Sequence, residues 1–161
     1  TIQLDYAAPE RFGMDYVGED NHDHRVVVIH RAVSGSFERF MGILIEHFAG
    51  AFPLWLAPEQ VRVLPISDAQ AEAARAVTNR LRAAGIRAHL DAGHETLNYR
   101  IRQGEVQKVP YMAVIGGREV EADSVAVRVR GAGVKQEVRP VEEFLAQLRG
   151  EVASRRLTAD S

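Results

Sequence analysis

An apolar strand that ends in a histidine, a glycine-serine turn and a helix with Glu-Arg in its first turn make up "IHRAVSGSFERFMGILIEHFAG", residues 29–50. His30 and Arg39 are the side chains here with chemistry to offer. A histidine at a strand end serves either as a hydrogen-bonded structural residue or as a metal ligand. Zinc takes three or four nitrogen, sulfur or carboxylate ligands. The nearest further candidates, His22 and His24, sit in the acidic stretch "GEDNHDHR", which reads as solvated, so no self-contained zinc site is expected. Arg39 follows a Gly-Ser pair at a helix start, where unpaired N–H groups and the helix dipole favour anions. An arginine there could clamp a phosphate bidentately, or simply share the surface with Glu38 and Glu46. Periodicity leaves both readings of Arg39 open.

The elements that position these residues are legible. Residues 26–30, "VVVIH", are β-branched and apolar, as in a buried strand. Ser36 suits a helix N-cap. Phe37, Phe40, Met41, Leu44, Ile45 and Phe48 recur with helical spacing and should face a core. Arg39 lies about 200° from Phe37 on that helix, on the opposite side. Gly50 suits the helix end.

The stretch "AFPLWLAPEQ", residues 51–60, carries two prolines and no period, and reads as the join between two units. Beyond it "VRVLPI" reads as a strand and "SDAQ" as a capping box, Ser67 with Gln70. The next helix should bury Ala69, Ala73, Ala76, Val77, Leu81 and Ala84 and stop at Gly85. With "IRAHL" as a further strand, this is a parallel βαβ unit. A helix over residues 95–106, a strand over 109–115 and a hairpin turn at Gly116-Gly117 follow. In "SVAVRVR" period two puts Arg128 and Arg130 on the face away from the valines. A last helix over 140–154 turns Val141, Phe144, Leu145 and Leu148 inward. The fold class is therefore α/β, with a small second domain built on a mixed sheet. The domains expected are 1–57 and 58–161.

The chain has no cysteine, which excludes disulfides. It has no apolar run near the roughly 20 residues of a membrane helix and no leader-like start; a cytoplasmic protein without membrane contact is expected. The start at Thr1, directly in strand-like "TIQLDY", suggests a cut chain. Residues 1–57 carry a net charge of −4 and residues 58–161 a net charge of +2. Eighteen of the 20 basic residues are arginine, the better reader of planar and phosphate groups, so the second half permits nucleic-acid contact.

The string "YVGEDNHDHRVVVIHRAVSGSFERFMGILIEHFAGAFPLWLAP" resembles the third signature motif of class II aminoacyl-tRNA synthetases. Within that class it resembles the threonyl-tRNA synthetases, and the likeness continues through "TIQLDY", "GIRAHLD", "KVPYM" and "GGREVEADSVAVRVR". The family's first two signature motifs have no counterpart here. The resemblance implies a C-terminal portion: part of the class II antiparallel catalytic sheet with its motif helix, then an anticodon-binding domain. It implies that Arg39, with Ser36 at the helix start, belongs to the ATP-phosphate site, ATP being used with magnesium. It implies that His30 is one of three zinc ligands, the other two lying upstream of Thr1, and that Gln3 lines the same threonine pocket. His94, Lys108, Glu119 and Arg128 fall on positions that read anticodon bases. Lys108 replaces a usual arginine, and "GHETLN", residues 93–98, departs from the family's usual "RNEKIG".

The implied activity is ATP-dependent charging of tRNA(Thr) with threonine by a homodimeric full-length ligase, the piece alone being inert. The alternative is a non-catalytic RNA-binding module that uses only the second domain. Related enzymes for proline, glycine or histidine share the appended fold, and His30 before Arg-Ala favours threonine.

Overall fold

The computed structural model describes residues 1–133 and 135–157, so the end of the expected second domain, 158–161, lies outside the described residues. It divides into two compact units, Thr1–His47 and Phe48–Ser161.

The first unit holds β1 (Ile2–Asp5), α1 (Ala7–Phe12), β2 (Asp15–Val17), β3 (Asp23–Arg25), β4 (Val28–Arg31) and α2 (Phe37–His47). β1 pairs antiparallel with β4, Gln3 opposite His30, and β2 pairs antiparallel with β3. α1 was not anticipated. It starts because Asp5 Oδ1 accepts from the N–H groups of Ala7 and Ala8 at 3.0 and 2.9 Å, and ends at left-handed Gly13. Ser36 does cap α2, its Oγ accepting from Arg39 N at 3.2 Å.

Two expectations fail here. The strand around residues 26–30 is not buried, Ile29 being 64% exposed, and the apolar stripe of α2 faces no core, Phe37 being 74% exposed. A two-stranded sheet offers too little surface to cover either one, and Pro9 is the one buried residue among those described in this unit.

The second unit holds β5 (Val61–Pro65), a 3-10 turn (Asp68–Gln70), α3 (Ala71–Ala83), β6 (Ala88–Leu90), α4 (Leu97–Val106), β7 (Tyr111–Ile115), α5 (Gly117–Glu121), β8 (Ser124–Val129), β9 (Glu137–Pro140) and α6 (Val141–Ser154). Its five-stranded sheet runs β6-β5-β7-β8-β9. β5 is parallel to β6 and β7, while β8 and β9 join antiparallel, so the sheet is mixed as expected. Period-two alternation sends Val61, Val63, Tyr111, Ala113, Val125 and Val127 into the larger core with α3 and α6. The other face buries Leu64, Met112, Val114 and Ala126 against Ile101 of α4. Helices therefore cover both faces of the sheet.

Two details depart from expectation. Of the predicted set α3 buries Val77 and Leu81, with Ala74 and Thr78 in place of the predicted alanines, and Ala69 and Ala76 are exposed. Thr78 can occupy a core position because its hydroxyl donates to Ala74 O at 2.7 Å. Gly116-Gly117 does not turn a hairpin: Glu119 Oε2 accepts from Gly116 N at 3.0 Å and opens α5 instead.

The proline-containing join packs within the second unit, with Leu54 and Ala57 buried. It has no ladder partners, so side chains satisfy its carbonyls. Gln60 Nε2 donates to Leu54 O at 2.8 Å, and Arg87 donates to Ala57 O and Trp55 O, both at 2.9 Å. Arg130 donates to Phe52 O at 2.9 Å and Ala51 O at 3.2 Å. No helix among the described residues is long and apolar enough to cross a membrane.

Candidate functional site

In the first unit the register of β1 on β4 puts Gln3 beside His30, and Asp5, two residues on from Gln3, shares their face. His30 Nε2 lies 3.1 Å from Asp5 Oδ2. The Asp5 carboxyl is held below its usual range, chiefly by the Ala8 N–H and next by the His30 hydrogen bond. Asp5 thus has two jobs, one oxygen starting α1 and the other orienting the imidazole. Sequence reading passed over it, although its spacing from Gln3 was the available signal. The three residues line one shallow depression together with Tyr6.

The donors are one imidazole and one carboxylate, and no group of three or more His, Cys, Asp or Glu side chains among the described residues could hold a metal. The residues present therefore do not fit a complete zinc site, which needs at least three protein ligands. Arg39 stands on the exposed first turn of α2, and its guanidinium makes no hydrogen bond or ion pair among the described residues.

In the second unit the strand order reverses about β5, because β6 and β7 flank it on opposite sides. In such sheets the crevice at the carboxyl ends of the strands is the usual ligand position. Here residues 65–68 and 92–95, with Arg100, line a depression at that end. Arg100 fixes its wall: buried, it donates to Pro65 O at 2.8 Å, Asp91 O at 2.7 Å and Glu95 O at 3.1 Å. Nothing in a bare arginine on a helix announced that role. His94 sits exposed on this rim, and Glu119 follows the carboxyl end of β7, its carboxylate capping α5.

Lys108 and Arg128 belong to the other end of the sheet. Arg128 pairs in register with Met112, early in β7. Lys108 adopts a left-handed backbone (φ 58°) after α4; its Nζ donates to Ala49 O, and its own carbonyl accepts from Arg130 at 2.7 Å. Arg128 does face away from the valines, yet it is only 9% exposed, against the expectation of an outward side chain. The reason is α4, which covers that face. Arg128 Nη2 reaches Glu105 Oε1 at 3.5 Å and Gly133 O at 3.4 Å, while its buried Nε has no partner. The four residues assigned to bases therefore lie in two pairs at opposite ends of the sheet, not in one cluster, and His94, Lys108 and Arg128 each line a different depression.

The comparisons with known proteins converge. Over 133 residues, 83% of its length, the chain is 61% identical to a threonine–tRNA ligase of Desulforamulus reducens. It is 53% identical over 157 residues to the threonine–tRNA ligase of Thermotoga maritima. It spans only 21% and 24% of those relatives' own lengths. The RNA binding domain of threonyl-tRNA synthetase from Cryptosporidium parvum superposes on 93% of this chain, and on 38% of its own, with a TM-score of 0.75 and 34% identity. A family model described as "Anticodon binding domain" matches residues 60–151. That match covers more than half of the sequence and runs from β5 into α6, and by it the chain belongs to the anticodon binding domain family.

Proposed function

We propose that this chain is a segment of a threonine–tRNA ligase whose second unit binds the anticodon of tRNA(Thr). The observation that carries the reading is the 61% identity to a threonine–tRNA ligase, which continues at 53% across 98% of the chain and so includes both units. The domain division proposed is a catalytic-domain portion before the join and an anticodon-binding domain after it.

On this reading the exposed Arg39 guanidinium, whose helix Ser36 caps, meets the phosphates of magnesium-bound ATP. It stabilises the charge that builds as the threonine carboxylate attacks the α-phosphate. Gln3 and His30, opposite each other on β1 and β4, face the amino acid. Asp5 positions the imidazole through the 3.1 Å contact. Zinc is the metal implied for this family, and His30 would give it one ligand only. In the second unit His94, Lys108, Glu119 and Arg128 are assigned to the anticodon. Hydrogen bonding to splayed, unpaired bases is the chemistry such polar groups perform.

The test is threonine-dependent ATP–pyrophosphate exchange, with tRNA charging alongside, in the full-length protein that carries this segment. Exchange with threonine but not with proline, glycine or histidine is expected. Absence of exchange with every amino acid, together with retained RNA binding, would favour the non-catalytic RNA-binding module.

A further inference from the structure

We infer that the outer face of α4, centred on Tyr99 and Arg102, is a stacking platform for an unpaired nucleotide of single-stranded RNA. The inference rests on the RNA-binding reading of the second unit and adds a surface to it.

Tyr99 is out of place by the logic of burial. Among the described Phe, Tyr and Trp residues of the second unit it is the one with an exposed side chain, at 50%. Tyr111 and Phe144 fill the core, and Phe48, Phe52 and Trp55 are partly covered. α4 does not need Tyr99 to dock, because Ile101 and Leu97 already pack against the second core cluster. Its hydroxyl makes no hydrogen bond among the described residues, and only its backbone N–H is used, donating to the Thr96 cap at 3.3 Å.

A single exposed aromatic is ordinary on a protein surface. Its neighbours make this one different. Asn98, Tyr99, Arg102 and Val106 are all exposed and share one side of the helix. Arg102 stands one turn from the ring; its side chain is 73% exposed, and its guanidinium forms a long ion pair with Glu105 at 3.9 Å. A planar aromatic, a planar cation and an amide within one turn supply a π-face, a cation–π or stacking partner, and both a donor and an acceptor. Those are the groups that recognise splayed bases. They do not suit a duplex, whose bases are already stacked. They are also a poor apolar docking surface, since only Tyr99 and Val106 are hydrophobic.

The helix bearing them also runs between two of the depressions of the domain. His94 and Glu95 lead into its start at one depression, and Glu105 near its end lines the other with Arg128. At 10 residues it is about 15 Å long. A strand of RNA that runs along α4 from one depression to the other would pass over this face.

The experiment measures binding of the 161-residue chain to two probes, an RNA hairpin with an unpaired loop and the same strand annealed to its complement. The unmodified chain should prefer the loop. Tyr99→Ala should weaken loop binding on the order of tenfold, Tyr99→Phe should retain it within about twofold, and Arg102→Ala should weaken it several-fold. Thermal melts confirm that each variant is folded. Loop binding unchanged in Tyr99→Ala, or weakened equally by Tyr99→Phe, overturns the platform and leaves the RNA-binding reading standing if Arg128→Ala still lowers affinity. No binding of either probe by the unmodified chain overturns both.

Discussion

Replacing Tyr111 by Phe removes one hydroxyl from the larger core of the second unit and leaves the ring in place. The ring is 1% exposed and stands edge-on to Phe144, with centroids 5.7 Å apart. The hydroxyl donates to the Glu151 carboxylate, whose oxygens lie at 2.9 and 3.0 Å, and accepts from Gln147 Nε2 at 3.4 Å. It thereby ties β7 to α6. A hydrogen bond to a charged acceptor contributes about 1.5–3 kcal/mol. Glu151 keeps Gln147 as a partner at 2.8 Å and is partly solvated, so the expected loss is nearer 1–2 kcal/mol. For a unit of this size that is a fall in Tm of several degrees.

The same hydroxyl gives the prediction a pH signature. Burial first, then the charge and hydrogen bond of Glu151, raise the Tyr111 pKa above its ordinary 10.0. Between the unfolded and folded values the native state binds the extra proton, so stability falls as pH rises. The contribution is complete below about pH 10, the unfolded value, and is lost above it. Melting curves of both proteins from neutral pH to above 10 should therefore show a stability gap that narrows on the alkaline side. Other titrations are common to both and cancel. Equal melting temperatures at neutral pH, or a gap that does not change through pH 10, would refute the reasoning.

Two further outcomes follow from packing. In Gly116→Ala the new Cβ would lie 2.7 Å from Ile66 Cδ1 and 2.8 Å from Glu119 Oε2. The carboxylate should leave the Gly116 N–H and destabilise α5 by about 1–3 kcal/mol, measured by urea unfolding, with faster amide exchange in residues 116–121. The 161-residue chain should associate or bind a hydrophobic dye, because Ile2, Phe12, Ile29 and Phe37 are each more than 60% exposed. Light scattering from a dilute monomer with no dye signal would contradict that.

The second unit was legible almost element by element, because its strands and helices carry strong periods and its starts carry local signals such as Ser67 with Gln70. What escaped were features that depend on a neighbour in space. Arg128 alternates with valines and so reads as outward, but only the packing of α4 shows that this face is covered as well. The phase of α3 was lost among alanines, which score alike on every face, and Thr78 hid its polarity in a bond to Ala74 O. Gly116-Gly117 read as a turn because glycine pairs usually do, while the deciding residue, Glu119, stood three positions on. In the first unit an ordered motif singles out His30, Ser36 and Arg39, while Asp5 escapes sequence reading because its contact with His30 exists only once β1 lies against β4. The stripe on α2 is plain in the sequence, but no periodicity reveals whether a partner surface is present.

The most direct test of the account compares Arg39→Ala and Arg128→Ala in the full-length protein that carries this segment, with pyrophosphate exchange measured without tRNA and aminoacylation measured with it. On the proposed reading Arg39→Ala should slow exchange on the order of a hundredfold or more, as expected for loss of a charge acting on the reacting phosphates. Arg128→Ala should leave exchange nearly unchanged and weaken charging by roughly 1–3 kcal/mol, the effect of losing a contact to an unpaired base. Losses of equal size in both assays for Arg128→Ala would show that this buried arginine supports the fold instead of reading RNA, and would contradict the account.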